Sequence, residues 1–226
     1  MRESYRSQLR RVVTELVHTS ELGGTAVRNA TRALLEADLH IAEQVISEDA
    51  RIDDRVAEIE DRCYHLLVQF SPMGADLRTI VTALKMCAEL SRMGDLAAHV
   101  AKIARMRYPE HAVPPDQLRD NFARMAEIAE EMVADAGAAL NNQNLTLARD
   151  LAATDQEMDD LRRAQFQVLL DETWSHGVEA AVDVALLGRY YERIADHAVS
   201  MGHRVIYAAT GERPPDDPTW TVADSQ

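Results

Sequence analysis

Glu89-Leu90-Ser91-Arg92-Met93-Gly94-Asp95 and Tyr190-Tyr191-Glu192-Arg193-Ile194-Ala195-Asp196 are two versions of one heptapeptide, offset by 101 residues. The same offset lays Ala198 on Ala97, and each version ends in a carboxylate with a polar or acidic side chain one helical turn before it. Further upstream, Asp49-Ala50-Arg51-Ile52-Asp53-Asp54 aligns with Asp155-Gln156-Glu157-Met158-Asp159-Asp160, and Leu39 with Leu145, at an offset of 106. The five-residue difference falls in the turn that holds Pro72 and Gly74, where length changes are tolerated. The chain therefore reads as an internal duplication, joined near residues 108–115.

Each unit has three helices. Apolar positions recur at steps of three and four through residues 5–37, 39–69, 75–107, 116–141, 145–173 and 177–209, and strand patterns are absent. Breaks fall at Asp38, at Ser71-Pro72-Met73-Gly74, between Tyr108 and Pro115, at Asn141-Asn142-Gln143-Asn144 and at Ser175-His176-Gly177, all with turn or helix-ending chemistry. Short connections make successive helices antiparallel neighbours. The expected fold is all-α, with a first three-helix bundle over residues 1–108 and a related second over 116–210. Each is expected to bury an apolar stripe of its own. Residues 211–226, with Pro214, Pro215 and Pro218, read as a flexible tail on which Trp220 docks loosely.

Composition narrows the function. Of the 226 residues, 46% are hydrophobic and only 5% aromatic, as in helices packed through Leu, Val, Ile, Ala and Met. A formal net charge of −14 works against nucleic acid as a partner, because that affinity comes from cations that neutralise phosphates. It suits a cation or a basic protein surface. No apolar run reaches the ~18 residues of a membrane span, and Met1-Arg2-Glu3-Ser4-Tyr5 opens a charged helix rather than a signal peptide. A cytoplasmic location is expected. Cys63 and Cys87 lie in apolar helical stretches and read as buried thiols without a disulfide or metal role.

At ~100° per residue, Leu90, Met93, Ala97 and Val100 share one side of the third helix, and Ser91, Asp95, His99 and Lys102 the other. The sixth helix repeats this: Tyr191, Ile194, Ala198, Met201 and Val205 oppose Arg189, Glu192, Asp196, Ser200 and His203. Two carboxylates four residues apart cost roughly 0.2–0.5 kcal/mol unless a cation compensates them. On the second and fifth helices, Asp49/Asp53 and Asp155/Asp159 lie at the edge of the apolar stripe, where they would face the acidic side of a neighbouring helix. Oxygen ligands from two helices suit Mg²⁺, Mn²⁺ or iron, and an added His brings zinc or nickel within range. Composition alone produces roughly six acidic pairs at this spacing, so one pair means little. Three pairs in register across two repeats carry the signal.

These residues also resemble a known family. Asp76-Leu77-Arg78, Leu84-Lys85 and Glu89 to Asp95, together with Glu192-Arg193-Ile194-Ala195-Asp196-His197-Ala198, are similar to the paired signature of PhoU proteins, and the resemblance covers nearly the whole chain. It implies a negative regulator of phosphate uptake and of the phosphate-starvation response. Such a regulator couples the ATPase of a phosphate ABC transporter to a two-component sensor histidine kinase. It also implies a homodimer that reaches the membrane only peripherally, through its partners, and acid-x-x-x-Asp motifs that bind metal clusters. Carried over, the metal ligands are Asp49, Asp53, Asp95, Asp155, Asp159, Glu192 and Asp196, with a divalent or ferric ion (Fe, Zn, Mg or Mn) as the cofactor. The family usually has Glu where this chain has Ser91. The second half is accordingly the stronger metal site, with His99 a substitute ligand in the first.

The competing class is a di-iron-like carboxylate bundle, for storage or catalysis. Glu15 and His18 have its Glu-x-x-His spacing, but that fold needs two such motifs and two further Glu. No phosphate-binding Gly-rich loop, nucleophile elbow or Cys/His zinc pattern is present. The expectation is a binding protein and not an enzyme. Arg78, Lys85, Arg92 and Arg193 read equally as recognition cations or as partners of neighbouring acids.

Overall fold

A computed structural model describes residues 2–109 and 114–214. Six helices follow in order: α1 (Arg2–Glu36), α2 (Leu39–Phe70), α3 (Ala75–Arg107), α4 (Asp116–Asn142), α5 (Leu145–Leu169) and α6 (Gly177–Thr210). The described residues form no strand. No described helix is long and apolar enough to cross a membrane. Trp220 and most of the expected tail lie outside the described residues.

The turns carry the duplication further than the motifs do. Ala37 and Gln143, 106 residues apart, both take the left-handed conformation, with φ 50° and 48°. The next residues, Asp38 and Asn144, donate their N–H to Ala33 O and Ala139 O at 3.0 Å, the six-to-one bond that closes a Schellman motif. Each then caps the following helix: Asp38 Oδ1 accepts from Ile41 N at 3.0 Å, and Asn144 Oδ1 from Thr146 N and Leu147 N at 3.1 Å. Both α1–α2 and α4–α5 are thus the same helical hairpin.

Packing departs from two self-contained bundles. Helix α1 packs on α2, α3 and α4, and α6 on α3, α4 and α5. Helices α1, α3, α4 and α6 thereby form a shared centre, with α2 and α5 on its flanks. One continuous core runs through both halves and includes Leu16, Leu90, Met93, Phe122, Met125 and Ile194. Tyr191 is fully buried; its hydroxyl lies 2.6 Å from Thr31 Oγ1 of the other half, and its ring centroid is 6.0 Å from that of Phe122. Arg107, at the end of α3, ties to Asp183 at 2.6 Å and to Glu179 at 2.5 Å at the start of α6. Arg28 of α1 pairs with Glu130 of α4.

Two expectations need correction. Helix α5 stops at Leu169 instead of residue 173, because Asp171 Oδ1 accepts from both Thr173 N and Thr173 Oγ1, an arrangement that favours a turn. His203 does not sit on an open polar face; it is buried, as is Arg204. The three helices packed around α6 leave little of its end in solvent. Cys63 and Cys87 are buried free thiols as expected, and burial pushes the Cys63 thiol up to about 12.

Candidate functional site

The seven sequence-selected carboxylates gather into two clusters, one per half. In the first, α2 supplies Asp49 and Asp53, and α3 supplies Ser91 and Asp95. Ser91 Oγ donates to Asp53 Oδ1 at 2.6 Å, so the hydroxyl that replaces an acid holds its neighbour's carboxylate. Asp49 reaches this place because residue 94 is glycine: a Cβ there would lie 2.8 Å from Asp49 Oδ1. Burial raises the Asp49 carboxyl above its ordinary value, Asp95 and Asp53 add to the rise, and Lys102 and His99 oppose it. Arg92 Nη1 stands 3.2 Å from Asp95 Oδ2. His99 Nδ1 lies 2.6 Å from the Asp95 carbonyl oxygen. A carbonyl can only accept, so Nδ1 is the donor, and the neutral ring keeps its acceptor lone pair on Nε2.

The second cluster joins Asp155 and Asp159 of α5 to Glu192 and Asp196 of α6. Asp155 is pushed up to about 6, first by burial and then by Asp196, Asp159 and Glu192. Its Oδ1 is buried with no hydrogen-bond partner, a costly state for a carboxylate oxygen. Asp196 is also raised, by burial and then by Glu192, with Arg189 and His197 opposing. Glu192 Oε2 lies 2.8 Å from both Arg162 Nε and Arg189 Nη1, ion pairs out of hydrogen-bond alignment, and Arg189 extends to 4.0 Å from Asp196 Oδ2. Residue 195 is alanine where the first half has Gly94.

The structure thus brings each acid pair of a middle helix against the acidic face of the next helix. It does not close either cluster: among the described residues, no three His, Cys, Asp or Glu side chains converge as a ready metal cage. The donor chemistry fits a hard cation, and the orphaned Asp155 oxygen marks where positive charge is short. In the second cluster two guanidinium groups already serve Glu192 and would have to yield it.

Sequence reasoning missed Arg162, although it lies one turn beyond Asp159 on the same helix face. It also missed the bridge from Glu89 Oε2 to His197 Nδ1, 2.7 Å across α3 and α6, which no single-helix face count can find. Glu15 and His18 make no joint site. Glu15 pairs with Arg11 and Arg62, while His18 is exposed, 3.5 Å from Glu21. Of the four candidate cations, Arg92 pairs with Asp95, Arg78 donates to Ala208 O at 3.4 Å, and Lys85 and Arg193 are exposed.

A family model for the PhoU domain matches residues 16–104 and again 122–205, one match in each half. The chain belongs to the PhoU family. Among PhoU relatives, it is 45% identical over 217 residues to the phosphate-specific transport system accessory protein PhoU homolog 1 of Mycobacterium leprae, covering 96% of this chain and 97% of that one. It is 46% identical over 214 residues to PhoU homolog 2 of Mycobacterium tuberculosis, covering 95% and 100%. The crystal structure of PhoU from Pseudomonas aeruginosa superposes with a TM-score of 0.83 at 26% identity, over 92% of this chain and all of that one. PhoU from Streptococcus pneumoniae shares the fold at the same TM-score and 24% identity, over 93% and 99%.

Proposed function

We propose that this chain is a phosphate-transport accessory protein that represses phosphate uptake and the phosphate-starvation response when phosphate is plentiful. It couples the ATPase of a phosphate ABC transporter to a two-component sensor histidine kinase through protein–protein contacts. The observation that carries this reading is end-to-end likeness: relatives named as phosphate-specific transport accessory proteins align over 95% or more of the chain. The mode of action is binding without catalysis, in which contact with one conformation of a partner shifts that partner's equilibrium. The proposal includes a cytoplasmic homodimer that meets the membrane through its partners; no described helix is long and apolar enough to cross a membrane. The net charge of −14 disfavours nucleic acid.

Metal belongs to the same proposal. Asp155, Asp159, Glu192 and Asp196 would hold an ion in one half, and Asp49, Asp53 and Asp95 in the other, with His99 Nε2 as a nitrogen donor. A bound divalent or ferric ion supplies positive charge that lowers the repulsion among these carboxylates. The acidic side chains hold the two-helix faces in one arrangement, and Arg162 and Arg189 hold Glu192 in its absence.

Two experiments test the parts separately. With this chain as bait, the transporter ATPase and the sensor kinase should both be recovered from phosphate-replete cells; recovery of neither contradicts the coupling. Elemental analysis with calorimetry should find metal bound, about tenfold more weakly after Glu192→Ala or Asp196→Ala. Absence of binding removes the metal part and leaves the partner part standing.

A further inference from the structure

Where the starts of α1 and α3 meet the ends of α4 and α6, the two halves border a half-open cavity of about 460 Å³, within the range of small-molecule sites. It is separate from both acidic clusters. Arg6 and Arg10 of α1 line it, one helical turn apart on the same face. Both are exposed, and among the described residues neither guanidinium has an ion-pair partner. Two guanidinium forks in that position suit the oxygens of one phosphate group.

The rest of the lining sets the body of the ligand. Leu9, Val13, Leu140 and Val205 form apolar walls from three helices. Asn141 and Gln143, at the end of α4, present amide groups that both donate and accept, as the edge of a nucleobase requires. Asp76 is the one acid of the lining, and a carboxylate accepts from ribose hydroxyls. A fatty acid would satisfy the arginines and the walls but would make no use of Asp76 and the two amides, which are exposed and can meet a polar ligand. We propose that this cavity binds a nucleoside monophosphate, its phosphate held by Arg6 and Arg10 and its ribose by Asp76. Because both halves line the cavity, occupancy bears on how they pack together.

Titration calorimetry of the full chain with AMP, GMP, CMP and UMP, in chelator, tests the proposal against adenosine, inorganic phosphate and decanoate as comparison probes. At least one monophosphate should bind, one per chain, about tenfold or more tighter than any comparison probe. Joint Arg6→Gln and Arg10→Gln substitution should cost about tenfold or more of that affinity with no change in melting temperature. Asp76→Asn should weaken the ribonucleotide while leaving its dideoxy counterpart unaffected. The proposal is overturned if no monophosphate binds at millimolar concentration, if the double variant binds unchanged, or if decanoate binds as tightly as the best nucleotide.

Discussion

Asp155 is the residue on which the electrostatics of the second cluster turn. Folded, it titrates near about 6, against an ordinary value of 3.8, so the folded chain keeps a proton that the unfolded chain has already lost between those values. Stability therefore falls as pH rises through that window, and the penalty is complete above it. In chelated protein, Asp155→Asn should raise stability at pH 7.5 by about 1–2 kcal/mol, after discounting for partial exposure. Scanning calorimetry should show this as a rise of a few degrees that shrinks towards pH 4. The acids themselves were legible in the sequence because their four-residue spacing recurs in both halves. Their partners were not: the ion pair of Glu192 with Arg162 and the hydrogen bond of Asp53 with the Ser91 hydroxyl depend on the register between helices, which a face count on one helix leaves open.

Among the elements, the contacts of the flanking helices α2 and α5 depend on glycines in α3 and α6. A Cβ at Gly202 would stand 2.7 Å from the Ala148 carbonyl oxygen and 2.8 Å from Leu151 Cδ1. Backbone cannot rotate away, so Gly202→Ala should cost about 1–3 kcal/mol in urea denaturation despite the better helix propensity of alanine. At Gly94 the nearest atom is the end of the Asp49 side chain, which can turn. Gly94→Ala should change stability by less than about 1 kcal/mol, with Asp49 displaced from the first cluster. Helix existence and order followed directly from apolar periodicity, and the α1–α2 and α4–α5 turns from the helix-ending chemistry of Asp38 and of Asn141 to Asn144. The end of α5 did not, because the apolar pattern runs on through Leu170 while Asp171 and Thr173 bond locally and stop the helix.

The whole molecule differs from the sum of its repeats. Apolar stripes on single helices did not reveal which helix covers them, so the common centre of α1, α3, α4 and α6 became visible only in three dimensions. Arg107 sits between Asp183, whose side chain is 4% exposed, and Glu179. Arg107→Met would leave Asp183 buried without its cation and should cost about 3 kcal/mol. Because the core is continuous, circular dichroism should report one transition that coincides with the fluorescence of Trp174 in the second half, read in a Trp220→Phe background; separate transitions would show that the halves fold independently. The proposed regulatory role is assigned to the entire chain, since the likeness to phosphate-specific transport accessory proteins extends over both halves. Its most direct measurement is a phosphate-starvation reporter in phosphate-replete cells that lack this chain. Deletion should switch the reporter on and the wild-type chain should silence it again, whereas a reporter that stays silent after deletion would contradict negative regulation by this protein.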